Sequence, residues 1–139
     1  MAEALFMNLL ENEEGNGFSV SSAGIYAYEG DPANTMAVDV LKNEFGINLS
    51  SHRSRILDID DVRQAWLILV MTEHHKNMIL NVYPESADKI YTLKDYAQME
   101  GDPDISDPYG GDYDMYKECA YEIESVLMNL MDKVFDNGD

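Results

Sequence analysis

Cysteine is nearly missing from this sequence, basic residues are scarce, and long apolar runs are absent. The single cysteine, Cys119, has no partner for an internal disulfide, which excludes a disulfide-built scaffold. Nine Lys+Arg stand against 27 Asp+Glu, a net charge of −18 at pH 7. A phosphate-rich polymer is repelled by such a field, so nucleic acid is not an expected partner. Residues 100–139 carry twelve acids against Lys117 and Lys133 alone. No apolar run reaches the length of a membrane span, and Met1-Ala2-Glu3-Ala4 lacks the basic stretch of a signal peptide. No internal repeat or low-complexity tract is present. Together these absences point to the cytoplasm, with no membrane partner.

What is present suits one globular domain over residues 1–139, with 45% hydrophobic and 26% charged residues. Leu5, Phe6, Leu9 and Leu10 recur at helical spacing, and Glu13-Glu14-Gly15-Asn16-Gly17 ends that helix. Phe18 to Gly24 reads as a strand running into a loop. A second helix follows, with Asn34 or Thr35 as its N-cap and Gly46 as its C-terminal stop. Its buried candidates are Met36, Val38, Val40, Leu41 and Phe45. Asp58 to Gln64 reads as a short helix capped by Asp58. Ala65-Trp66-Leu67-Ile68-Leu69-Val70-Met71 is a continuous apolar run, the pattern of a parallel strand buried on both faces. Thr72 to Asn81 is helical, Lys89 to Leu93 a strand, and residues 97–114 a loop. From Tyr116 to Val134, apolar residues return every three or four positions, giving a long amphipathic helix. Helices and strands therefore alternate, which predicts an α/β fold with an open parallel sheet covered on both faces.

Six stretches carry a resemblance to a known family. They are Met1-Ala2-Glu3-Ala4-Leu5-Phe6, Ser21-Ser22-Ala23-Gly24, Ser51-His52-Arg53-Ser54-Arg55, Met71-Thr72-Glu73, Tyr91-Thr92-Leu93-Lys94 and Asp107-Pro108-Tyr109-Gly110-Gly111. In this order and spacing the chain resembles the low-molecular-weight protein phosphatases over nearly its whole length. The resemblance implies a three-layer αβα fold with a small parallel sheet of order 2-1-3-4. It also implies hydrolysis of phosphotyrosine or phosphoarginine in proteins through a phospho-cysteine, without a cofactor or metal. The family's Cys-x5-Arg loop supplies a thiolate, backbone N–H groups and an arginine for the phosphate. Asp107 matches its general acid, Tyr109 one wall of the substrate cleft, and Tyr28 the position of the facing aromatic wall. A Tyr28–Tyr109 pair would sandwich a phenol ring or a guanidinium. Without the resemblance, Asp107 is an ordinary turn aspartate, like Asp31 and Asp102 before their own prolines.

The thiolate loop itself is not among these residues. In the family it precedes Ala-Glu-Ala almost directly, and here only Met1 does. Cys119 does not substitute, because the residue six places on is Ser125 and not an arginine. The expectation is an N-terminally truncated form of a longer phosphatase, inactive by itself. Its first central strand would be absent, unless a dimer completes the sheet in trans. A non-catalytic relative that binds phosphorylated or protein partners is the alternative, and a damaged gene product a third. One cysteine excludes arsenate reduction by a cysteine cascade. The Gly110-Gly111 pair resembles the arginine-directed branch. His74-His75 reads as solvated helix surface, since neighbours on a helix diverge. His52-Arg53-Ser54-Arg55 could attract a phosphorylated partner, but reads better as structural contacts beside the sheet. The nine methionines read as core filler.

Overall fold

The computed structural model describes residues 1–11, 19–24 and 30–137, with the side chains of the last helix described to Lys133. Its elements are α1 (Ala2–Glu11), α2 (Thr35–Phe45), α3 (Ile59–Gln64), β1 (Ile68–Val70), α4 (Glu73–Val82), β2 (Ile90–Thr92), α5 (Leu93–Tyr96) and α6 (Tyr113–Asn137). They fall into two compact units. The first comprises residues 1–56 and 107–125, and the second 57–106 and 126–139.

In the second unit, β1 and β2 pair in parallel with Ile68 opposite Ile90 and Val70 opposite Thr92. A parallel pair needs a crossover, and α4 supplies it. This pair matches strands 3 and 4 of the expected order. Each helix start has its cap. Asp58 and Asp61 exchange side chain-to-backbone bonds as a capping box for α3. Thr72 caps α4 by accepting from His75 N, and Asp104 adds its carboxylate by accepting from Glu73 N at 2.8 Å. Lys89 Nζ donates to the Ala65 carbonyl just past the end of α3, at 2.8 Å. The core consists of Val62, Val70, Ile79, Ile90, Leu93 and Ile105 with Val126, Leu127, Leu130 and Met131 of α6.

The Ala65–Met71 run is not buried on both faces. Regular strand covers Ile68–Val70, only Val70 is buried, and Trp66 is 59% exposed. Among the described residues β1 has a ladder partner on one side only, so its other side lacks the neighbour that would cover it.

The first unit is built of helices and loops. Asn34 caps α2 through Met36 N, and Gly46, with φ of 67°, ends it by donating to Leu41 and Lys42 carbonyls. The buried stripe of α2 is Ala37, Val40 and Leu41, while Met36 is exposed and Val38 and Phe45 are half-buried. Leu5 and Leu10 of α1 are buried, as are Tyr116, Ala120 and Ile123 of α6. The strand expected at Phe18–Gly24 does not form among the described residues of that span. Phe18 lies outside the described residues, as does the Glu13–Gly17 exit of α1, and residues 19–23 have no regular structure. Only an isolated parallel bridge joins Gly24 to Ile56, with Gly24 N donating to Arg55 O at 2.9 Å. A strand persists only where a neighbour takes up its backbone groups, and the described residues of this unit offer no longer ladder.

Candidate active site

The segment Asp107–Asp112 is a chain of small local devices. Asp107 is exposed, and its Oδ1 accepts from the backbone N–H of Tyr109 at 3.0 Å, an Asx turn that Pro108 stiffens. Gly111 N donates to Pro108 O at 2.8 Å, closing a second turn over Gly110, whose φ is 84°. That φ favours glycine. Gly111 is required for a different reason: a Cβ there would sit 2.9 Å from Pro108 O and 2.8 Å from Met115 Sδ. The glycine pair is therefore explained by turn geometry, whatever it says about substrate. Asp112 then opens α6, its Oδ1 accepting from Met115 N at 3.0 Å.

The result is an exposed carboxyl on an ordered loop, open to proton exchange, beside a tyrosine that is 80% exposed. Tyr28 lies outside the described residues, so of the two aromatics expected as walls only Tyr109 is described. Two neighbouring groups on α6 carry the influence of Asp107. Burial pushes the Tyr116 phenol up, with the charge of Asp107 and Tyr109 adding to it. Burial also pushes the Cys119 thiol up, followed by the charges of Glu122 and, less strongly, Asp107, while the Met1 amino group opposes them. Cys119 is half-buried on α6, held toward its neutral thiol, the opposite of what a nucleophile needs.

The other sequence candidates make contacts of their own. Arg53 donates to the carbonyls of Ser50 and His52, at 3.0 and 2.7 Å. His52 Nδ1 lies 3.4 Å from Glu3 of α1, which also accepts from Ser22 Oγ at 2.8 Å. This basic stretch holds local structure. His74 and His75 are exposed with ring centroids 6.3 Å apart, and no metal-ligand cluster occurs among the described residues. Sequence reasoning missed Glu44 of α2. It accepts from Tyr113 Oη at 3.3 Å and Tyr121 Oη at 3.0 Å, with Lys117 Nζ 3.7 Å away. The signal was present, since positions 113, 117 and 121 repeat every four residues and so share one helix face.

The family model described as low molecular weight phosphotyrosine protein phosphatase matches residues 1–138. A protein-arginine-phosphatase of Geobacillus stearothermophilus is 40% identical over 126 residues, 91% of this chain and 83% of the relative. A low molecular weight protein-tyrosine-phosphatase of Staphylococcus epidermidis is 30% identical over 135 residues, 96% of this chain and 86% of the relative. Among solved structures, a low molecular weight protein tyrosine phosphatase from T. tengcongensis superposes with a TM-score of 0.87 at 41% identity, covering 95% of this chain and 88% of its own. The chain belongs to the low-molecular-weight phosphotyrosine protein phosphatase family. It has that family's α/β fold, the class expected from the sequence.

Proposed function

We propose that this chain is the acid-bearing part of a protein phosphatase acting on phosphotyrosine or phosphoarginine, with Asp107 as the proton donor. In this reaction a thiolate attacks phosphorus, and the bond to the leaving oxygen or nitrogen breaks. Asp107 gives its proton to the departing atom. It then takes one from the water that cleaves the phospho-cysteine, returning free thiolate and inorganic phosphate. The observation that carries the reading is the exposed Asp107 carboxyl, fixed by its Asx turn beside the exposed Tyr109 ring. Tyr109 would form one wall of the substrate cleft and Tyr28 the other.

These 139 residues hold no Cys-x5-Arg, and Cys119 is held toward its thiol. On this reading the nucleophile is supplied by sequence other than these residues, and the 139-residue chain by itself is expected not to turn over. A thiolate mechanism requires a reducing compartment, which fits the cytoplasm. Among the described residues no helix is long and apolar enough to cross a membrane. The test is to express the complete gene product and the 139-residue chain and assay both on phosphotyrosine and phosphoarginine peptides. Turnover by the complete product alone is expected, and its two rates decide the substrate. Absence of any Cys-x5-Arg or equivalent nucleophile in the complete product would instead favour a second reading, a non-catalytic protein that binds phosphorylated partners. The missing loop within these residues is what supports that second reading.

A further inference from the structure

We propose that Tyr113, clasped by Glu44, is a positioning residue that sets where the Asp107 carboxyl sits. The inference rests on the phosphatase reading for its consequence, but not for its geometry. Tyr113 is the first residue of α6 and directly follows Asp112, so whatever fixes Tyr113 fixes the exit of the Asp107 loop. Its hydroxyl donates to Glu44 Oε2 of α2 at 3.3 Å and accepts from Asn43 Nδ2 at 3.5 Å. Between Tyr113 and Asp107 three hydrogen bonds tie the chain. Asp112 is tied to Met115 N, Gly111 to Pro108 O, and Tyr109 N to Asp107 Oδ1, so displacement at one end is passed to the other.

Glu44 holds the face of α6 at three successive levels, Tyr113, Lys117 and Tyr121. The lower two secure the helix. Tyr121 also packs on Phe45, with ring centroids 4.9 Å apart. Only the uppermost adjoins the loop. This division gives an internal control, because Tyr121→Phe removes a hydroxyl from the same carboxylate without touching the loop's anchor.

The test reads backbone hydrogen exchange and turnover together. In Tyr113→Phe the Tyr109 and Gly111 amides should exchange roughly tenfold faster, the effect of one lost hydrogen bond to a charged acceptor. Amides in the middle of α2 and α6 should be unchanged. Tyr121→Phe should leave the loop amides as they were, and Glu44→Gln, which keeps an acceptor, should restore part of the protection that Glu44→Ala loses. In the complete gene product, Tyr113→Phe should lower kcat about tenfold on substrates whose leaving group needs a proton, with KM unchanged. Unchanged loop amides in Tyr113→Phe, or equal acceleration in Tyr121→Phe, overturn the proposal. So does a kcat loss that is the same for acidic and basic leaving groups. A wild-type product without turnover overturns the phosphatase reading alone, and the exchange data then decide the clasp.

Discussion

Each of the two units is held internally by different means. The second is a scaffold of burial: a strand pair, a crossover helix and a run of fully enclosed aliphatic side chains around β2 and the latter half of α6. In the first, the Asp107 loop carries an Asx turn, two glycines and a helix cap, and the Tyr113 hydroxyl that follows it donates to Glu44. Each such device contributes about 1 kcal/mol, whereas one enclosed leucine contributes several times that. Stability and chemistry are thereby separable. Changing the loop should alter function with little effect on the fold, and changing the scaffold should do the reverse.

The largest effect should come from breaking the scaffold. Leu130 is fully buried, and Leu130→Ala should destabilise by about 2–5 kcal/mol, read as a lower urea midpoint. A loss under about 1 kcal/mol would mean that burial does not dominate there. Next comes Gly111→Ala, whose Cβ must push Pro108 O or Met115 aside. Overpacking of this kind costs about 1–3 kcal/mol. Most of it should appear as faster exchange at Tyr109 rather than as a lower melting temperature. Equal loosening of the α2 amides would show that the loop is not separable.

A smaller effect concerns alkali. The folded Cys119 thiol is raised above its unfolded value, so between those two values the unfolded chain has already lost the proton that the folded one keeps. The stability that Cys119 contributes is intact below about pH 8.5 and is lost as pH rises through the folded value. Tyr116 and Tyr121, both raised, extend the fall from about pH 10 upward. Cys119→Ala should remove the first part of the decline in a pH series of urea melts and leave the second. Smallest is Gln98→Gly in the second unit. Gln98 sits at φ of 60°, which is costly for a side-chain-bearing residue. Glycine gives back part of the gain through its looser unfolded state, so the net stabilisation should be about 0.5 kcal/mol.

How much of this was legible depended on how local each cause is. The Asn34 and Asp58 caps and the Gly46 stop followed from neighbouring residues, and the structure agrees, while α6, read as Tyr116–Val134, runs from Tyr113 to Asn137. The strand at residues 18–24 and the two-sided burial of residues 65–71 were misread, because both depend on a neighbour across the sheet that a linear pattern cannot display. Asp107 and Tyr109 could be singled out only through resemblance, since by composition one Asp-Pro turn looks like another. The Glu44 clasp joins residues about seventy positions apart. Its periodic half on α6 was readable, but its acceptor on α2 was not.

The measurement closest to the central claim is hydrolysis of aryl phosphates of graded leaving-group pKa by the complete gene product, with Asp107 and with Asp107→Asn. If Asp107 is the proton donor, the substitution should slow poor leaving groups by about 10²–10⁴-fold and barely affect the most acidic ones. Equal rates for the two proteins across the whole series would contradict the account.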